Sequence, residues 1–345
     1  MSLWRLSKLF IIVLAVLAVL AFVQVTLANQ TLKSSIGPTS ESEKALLWED
    51  ATKSFEIGNY NDAIRLFERL IHRYPSSPNH LKAHFYLGQA YLKTNNPTNA
   101  LTPLKYFCEA TGKTELGIQG KLLLSEAYLE VKKFHEAYLA AQEIIQLHKK
   151  HAFPSEFWML ALIHKAQAQT KLNHDYDATL TLEQARTELQ ENQSLLKGKA
   201  AWVELQLKVK KCEKLGNYHF TKLNESQTRS QIERRGTCLL ESLILYLGVL
   251  QANEKKLALL STAQMTASFQ NYSKICMHPP LPAVLPTGKH TKKQINQYQK
   301  ELIEVLTQDC KLQQEKARQL LTSLKDQIPP TMKAHIEDVI KKVGS

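Results

Sequence analysis

Three short stretches of this chain hold residue types that carry chemistry in other proteins. Ala110-Thr111-Gly112-Lys113-Thr114 contains the Gly-Lys-Thr of a phosphate-binding loop, but Phe107 stands where the first glycine is required. Without a glycine-rich turn, backbone amides cannot wrap a phosphate, and this stretch joins two helical patterns rather than a strand and a helix. His148 and His151 lie three positions apart near a helix end, a spacing that can share a metal ion. Neither an acidic nor a third ligand stands nearby, and solvated histidines favoured by the helix dipole account for them. Cys276 and His278 are near neighbours beside prolines, a poor frame for a thiolate and its base. No His-Glu-x-x-His and no Gly-x-Ser-x-Gly occurs. The expectation is a protein that is not an enzyme and holds no cofactor or metal. An enzyme whose site is built in the C-terminal half remains an open alternative.

Cys108, Cys212, Cys238, Cys276 and Cys310 are scattered, with no Cys-x-x-Cys spacing. This argues against a zinc site and against a dense disulfide framework, so each is expected to fill a helical core as a small apolar residue. An odd number in an oxidising compartment leaves at least one thiol unpaired. Lys and Arg outnumber Asp and Glu by 44 to 32. Such a surplus favours acidic partners or an anionic lipid surface, unless it is only a lysine-rich solvated face. No arginine-rich stripe interleaved with aromatics is present, so no nucleic-acid partner is expected.

The chain opens with Trp4, Arg5 and Lys8, then an unbroken apolar run of 15 residues from Leu9 to Val23. That is the pattern of an export signal, with Thr26-Leu27-Ala28 as a cleavage site. Continued to Ala28, the stretch is about 20 residues long, enough to span a bilayer uncut. Residues 1–28 therefore read as either a cleaved signal or a hydrophobic anchor helix that makes the membrane a partner. In both cases the positive flank stays inside. Everything after Asn29 is then outside the cytoplasm, periplasmic in a bacterium, or exported after cleavage. Residues 29–43 are polar, with Gly37 and Pro38, and read as a linker.

From residue 44 the chain becomes periodic. Small residues recur at Ala51, Gly88 and Ser125, and at Ala63, Ala100 and Ala137, both series stepping by 37. Between them fall breakers, Gly58-Asn59-Tyr60, Asn95-Asn96-Pro97 and Lys132-Lys133-Phe134. Small residues on paired helices let the two approach closely. Large apolar residues fill the rest at helical spacing, Phe55, Leu92 and Leu129 on the first helices and Leu70, Phe107 and Ile144 on the second. One hairpin cannot bury its own apolar face, so the hairpins must stack. A fourth is expected over Ser155 to Gln190, where Ala166 and Ala178 repeat the spacing of 12 with the phase slipped by four.

The stretch GNYNDAIRLFERLIHRYP, from Gly58 to Pro75, resembles the tetratricopeptide repeat, as do LGQAYLKTNNPTNAL and SEAYLEVKKFHEAYL less fully. The pairing of FEIGNY with RYPSSP is most similar to repeats of bacterial envelope proteins, including outer-membrane assembly and cell-division factors. The resemblance covers roughly residues 45–218, within a repeat domain read as 44–218, and implies an all-α, right-handed solenoid of antiparallel helix hairpins. It also implies a concave groove lined by first helices, where a protein or peptide partner is expected. Trp48, Thr52, Phe85, Gln89, Lys93, Glu126 and Glu130 are the groove candidates, with Trp48 and Phe85 as anchors for a peptide helix. Both aromatics fit a core position equally well. Some family members clamp a C-terminal carboxylate with cations on first helices; the matching Trp48, Thr52, Tyr86, Gln119 and Leu123 include none.

Residues 219–276 read as a helical extension, 277–291 as a proline-rich loop, and 292–345 as C-terminal amphipathic helices. Ile295, Leu302, Leu306, Cys310, Ala317, Leu320, Leu324 and Ile328 share one face of a long helix, expected to cap the end of the stack. The reading in sum is a non-catalytic scaffold or adaptor at the cell envelope. A secreted repeat protein acting on a host or neighbouring cell stands as its alternative.

Overall fold

The computed structural model describes residues 40–148, 153–190, 192–215, 224–278 and 291–343. The apolar run from Leu9 to Val23, the site at Ala28, His151, Gly216-Asn217-Tyr218 and residues 279–290 of the proline-rich segment lie outside them. Among the described residues the regular elements are helices. The first four are α1 (Ser40–Glu56), α2 (Tyr60–Arg73), α3 (His80–Lys93) and α4 (Pro97–Thr111). Next come α5 (Glu115–Glu130), α6 (Phe134–His148), α7 (Ser155–Lys171), α8 (Asp175–Glu188) and α9 (Ser194–Lys214). The chain continues with α10 (Glu225–Gln251), α11 (Lys255–Met277), α12 (Lys292–Leu324) and α13 (Lys333–Lys342). No helix among the described residues is long and apolar enough to cross a membrane. Helix α1 starts at Ser40, inside the stretch read as linker, with Glu41 and Glu43 in its first turn where carboxylates favour the helix dipole.

One recurring turn sets where the hairpins bend. Gly58, Asn95, Lys132 and Asn173 have positive φ, at 81, 57, 62 and 66°. The amide after each bonds back to a carbonyl five positions earlier. The pairs are Asn59 to Ser54 (2.9 Å), Asn96 to Tyr91 (2.8 Å), Lys133 to Tyr128 (2.8 Å) and His174 to Gln169 (2.9 Å). This closure satisfies the last carbonyls of each first helix and turns the chain, so the second helix begins after a three-residue loop. Asn253, at φ 54°, makes the corresponding turn between α10 and α11.

The small residues sit where the spacing requires. Ala51, Ala63, Ala100, Ser125 and Ala137 are fully enclosed, and Gly88 is buried. A Cβ on Gly88 would stand 2.5 Å from the side chain of Leu104 on α4, so glycine alone permits that approach. Leu70, Phe107, Ile144 and Leu129 are buried as expected, while Phe55 and Leu92 are half-buried. The fourth hairpin forms as α7 and α8, with Ala166 and Ala178 enclosed. Its first helix starts 40 positions after that of the third hairpin, Glu115 to Ser155, against 35 from His80 to Glu115.

The described residues divide into two compact units, one ending at Phe107 and one beginning at Cys108. The first gathers Leu47, Ala51, Ala63, Phe67, Leu70, Ala83 and Leu87 into one core. The second holds two cores that meet at α9. Ala200 and Val203 of α9 join Ile118, Ile144, Leu162 and Leu182. Trp202, Leu205, Val209 and Cys212 join Leu243, Tyr246, Phe269, Leu306 and Val339. The long helix α12 packs on α10 and α11 of its own chain, burying Leu302, Leu306, Cys310, Ala317 and Leu324. The stretch Cys238 to Leu250 is part of the 27-residue core helix α10.

The cysteine expectation is corrected. Cys212 pairs with Cys238 and Cys276 with Cys310, closing separations of 26 and 34 residues, and Cys108 is the buried free thiol. Sequence spacing hid both pairs because antiparallel helices bring distant positions to a Cα separation of 5.5 Å. Each bridge joins two helices across a long connection, α9 to α10 and α11 to α12.

Candidate protein-binding groove

The buried polar groups are structural. Ser125 Oγ lies 2.8 Å from the Leu122 carbonyl oxygen and 2.6 Å from His164 Nδ1, both within hydrogen-bond distance. Ser125 and His164 are 0% and 3% exposed, and burial, reinforced by the Lys199 charge, pushes the imidazole down to about 4. No substrate reaches this enclosed pair. Cys276 is oxidised in its disulfide, and burial pushes the Cys108 thiol up to about 12. Neither is a nucleophile. His148 stacks on Trp158, ring centroids 5.5 Å apart.

The residues chosen from the repeat resemblance fall in both units. Trp48 is half-buried, its ring 5.9 Å from Phe67 and 5.8 Å from Tyr86. Thr52 Oγ1 donates to the Trp48 carbonyl at 2.9 Å. Phe85 is 9% exposed, its ring 4.9 Å from Phe107, so it is a core aromatic. Gln89 is half-buried and Lys93 exposed on α3. On α5, Glu126 and Glu130 are half-buried, and Glu130 is ion-paired with Lys256 of α11.

A further groove forms along α9, flanked by α8 and α10. Two faces of α9 are committed to the two cores, and the remaining side carries Lys197 and Lys211, which are exposed, with Ala201, Glu204 and Lys208 half-buried between them. These alternate steps of four and three, the repeat of one helix face. Two cavities lie over this stripe, of about 550 and 390 Å³, sharing Arg186, Glu204 and Leu245. Small residues keep the floor low. A Cβ on Gly198 would stand 2.2 Å from the Ala252 side chain, and one on Gly248 3.4 Å from that of Ala201, so α9 and α10 are drawn together beneath it. Ile244, 62% exposed, stands on the α10 wall, and Leu182, Leu207 and Leu245 line the apolar part.

Ion pairs brace the walls. Arg186 reaches Glu204 at 2.8 Å, Lys214 reaches Asp175 at 2.9 Å with Lys210 at 2.6 Å on the same carboxylate, and Lys208 pairs with Glu241. The two lysines lower the Asp175 carboxyl against the raising effect of its partial burial, the largest single influence. The site is thus an apolar trench with a charged rim, the composition of a protein-binding surface. Sequence reasoning passed it by because the repeat resemblance drew attention to earlier hairpins. The stripe on α9 was the available signal.

The family model for anaphase-promoting complex, cyclosome, subunit 3 matches residues 56–144, which span the end of α1 through α6. A tetratricopeptide repeat protein of Parabacteroides merdae ATCC 43184, known from a crystal structure, is 13% identical, with 88% of this chain and 99% of that chain covered and a TM-score of 0.40. No curated protein sequence matches.

Proposed function

We propose that the hairpins of this chain are repeats of the tetratricopeptide type, a reading supported by the family-model match over residues 56–144, and that the chain is a non-catalytic scaffold that holds a protein partner in the α8–α9–α10 groove. The carrying observation is that groove itself: an apolar trench in a stack of hairpins, with an exposed isoleucine at its wall and a charged rim. Repeat stacks expose extended surfaces of this kind because each unit contacts only its neighbours.

The reading extends to place. Two disulfides support an oxidising compartment, since such bonds are rare where thiols are kept reduced. The apolar segment from Leu9 to Val23 points the same way. We place the repeat region outside the cytoplasm, at a cell envelope, carried there by a cleaved signal or held by an uncleaved anchor. Affinity capture with the full chain, wild type against Ile244→Glu, tests the binding half. Partner recovery should fall with the variant while its helical circular dichroism is unchanged; equal recovery rejects the groove. Mass spectrometry of the purified chain tests the place: cysteines found reduced in the native host contradict it.

A further inference from the structure

The outward stripe of α9 begins at Lys197 and ends at Lys211, 14 positions later, or about 21 Å along a helix. Both lysines are exposed, and among the described residues neither has an ion pair or a side-chain hydrogen bond. The other cations around the trench are spoken for: Arg186 by Glu204, Lys208 by Glu241 and Lys214 by Asp175. Among the described residues, Glu183 on the α8 wall is the unpaired acid that lines the trench, so free charge among them stands at one carboxylate against two ammoniums. Lys197 lines one cavity and Lys211 the other, with Leu245 on the wall they share and Ile244 beside it, and with a net excess of one cation among these unpaired groups.

Resting on the groove reading above, we propose that the occupant is an amphipathic helix of acidic character. It is about four turns long, with an apolar face on Ile244 and Leu245 and a carboxylate near each end, one for Lys197 and one for Lys211. The length follows from the lysine separation, the apolar face from the trench, and the charge from the two unpaired ammoniums. A basic helix would bring like charge to both ends, which steers it away. An anionic bilayer is a poorer match, since lipid surfaces are recognised by flat clusters of roughly four to eight cations rather than by two framing a concavity.

Two fluorescein-labelled helical peptides test this against the full chain by anisotropy. They share a Leu/Ala face of about four turns and end in glutamates in one and lysines in the other. The glutamate peptide should bind about tenfold more tightly than the lysine peptide, and lose about tenfold in the double variant Lys197→Glu, Lys211→Glu. Ile244→Glu should weaken it as well. All three sites are exposed, so circular dichroism melting should show unaltered folding. Equal binding of the two peptides, binding of neither, or an unchanged affinity in the double variant overturns the proposal. Binding of phosphatidylserine vesicles through the same lysines, in place of the peptide, overturns it as well and assigns them to a lipid surface. If Ile244→Glu abolishes capture of the cellular partner while the glutamate peptide fails to bind, the groove stands and only its charge preference falls.

Discussion

Ser125 and His164 are separated by 39 residues in sequence, and their Oγ and Nδ1 lie 2.6 Å apart. The bond joins α5 to α7, the first helices of consecutive hairpins, at a point sealed from water. Because His164 is held at about 4 against an ordinary 6.5, the unfolded chain takes up a proton that the folded chain refuses. The contribution of His164 to stability should therefore be lost progressively as the pH drops through 6.5 toward 4. This group alone contributes about 2 kcal/mol of loss between 6.5 and pH ~5. Urea unfolding across that window measures it. His84, also pushed down to about 4 by burial first and then by His80 and His72, adds with the same sign. A His164→Leu chain should keep only the shallower remaining slope; an unaltered slope would show that His164 does not titrate as described.

The repeated left-handed turn gives a stability prediction of opposite signs. Lys132 occupies at φ 62° the position where the first hairpin has Gly58 at 81°. Lys132→Gly should raise stability by about 1 kcal/mol, and Gly58→Val should lower it by about 1 to 2 kcal/mol. Denaturant midpoints read both, and a destabilised Lys132→Gly chain would mean that the lysine stem has a packing role outweighing its backbone strain.

Gly88 faces Leu104 at a distance that no Cβ can share. Gly88→Val should cost about 2 kcal/mol through forced displacement of α4. A melting temperature equal to wild type would show that this helix pair is looser than its geometry indicates.

The two disulfides close 26- and 34-residue separations, each worth about 3.5 kcal/mol if loop entropy dominates. Reduction should lower the denaturant midpoint. Native alkylation of the unreduced chain should leave Cys108 untouched, since it is buried with its thiol pushed up to about 12. Labelling of Cys108 without denaturant would contradict that enclosure.

The hairpins were legible because their signals are local. Two small residues 12 positions apart with a breaker between them, the pair recurring every 37 positions, state a constraint of close helix approach in the sequence itself. Ala51, Ala63, Ala100, Ser125 and Ala137 sit as that constraint demands. The disulfides and the groove were not legible, because both arise from which helix lies beside which. Cys276 meets Cys310 only once α12 folds back on α11, and nothing in their spacing states that. Trp48 shows a different limit. A helical aromatic reads alike as an anchor or as core until its neighbours Phe67 and Tyr86 are known. The stripe from Lys197 to Lys211 has the right period, but a lysine-rich helix face is usually only solvated. What distinguishes it is that, among the described residues, neither lysine has an ion pair, which a sequence does not record.

The central claim, that the α8–α9–α10 groove receives a protein, is tested most directly by photocrosslinking in the native host. A benzophenone side chain is placed in turn at Ile244, on the groove wall, and at Gln308, exposed on α12. The account predicts a discrete protein adduct from position 244 that is absent from position 308 and is lost when Lys197 and Lys211 are both reversed. An adduct from position 308 with none from 244 would contradict it.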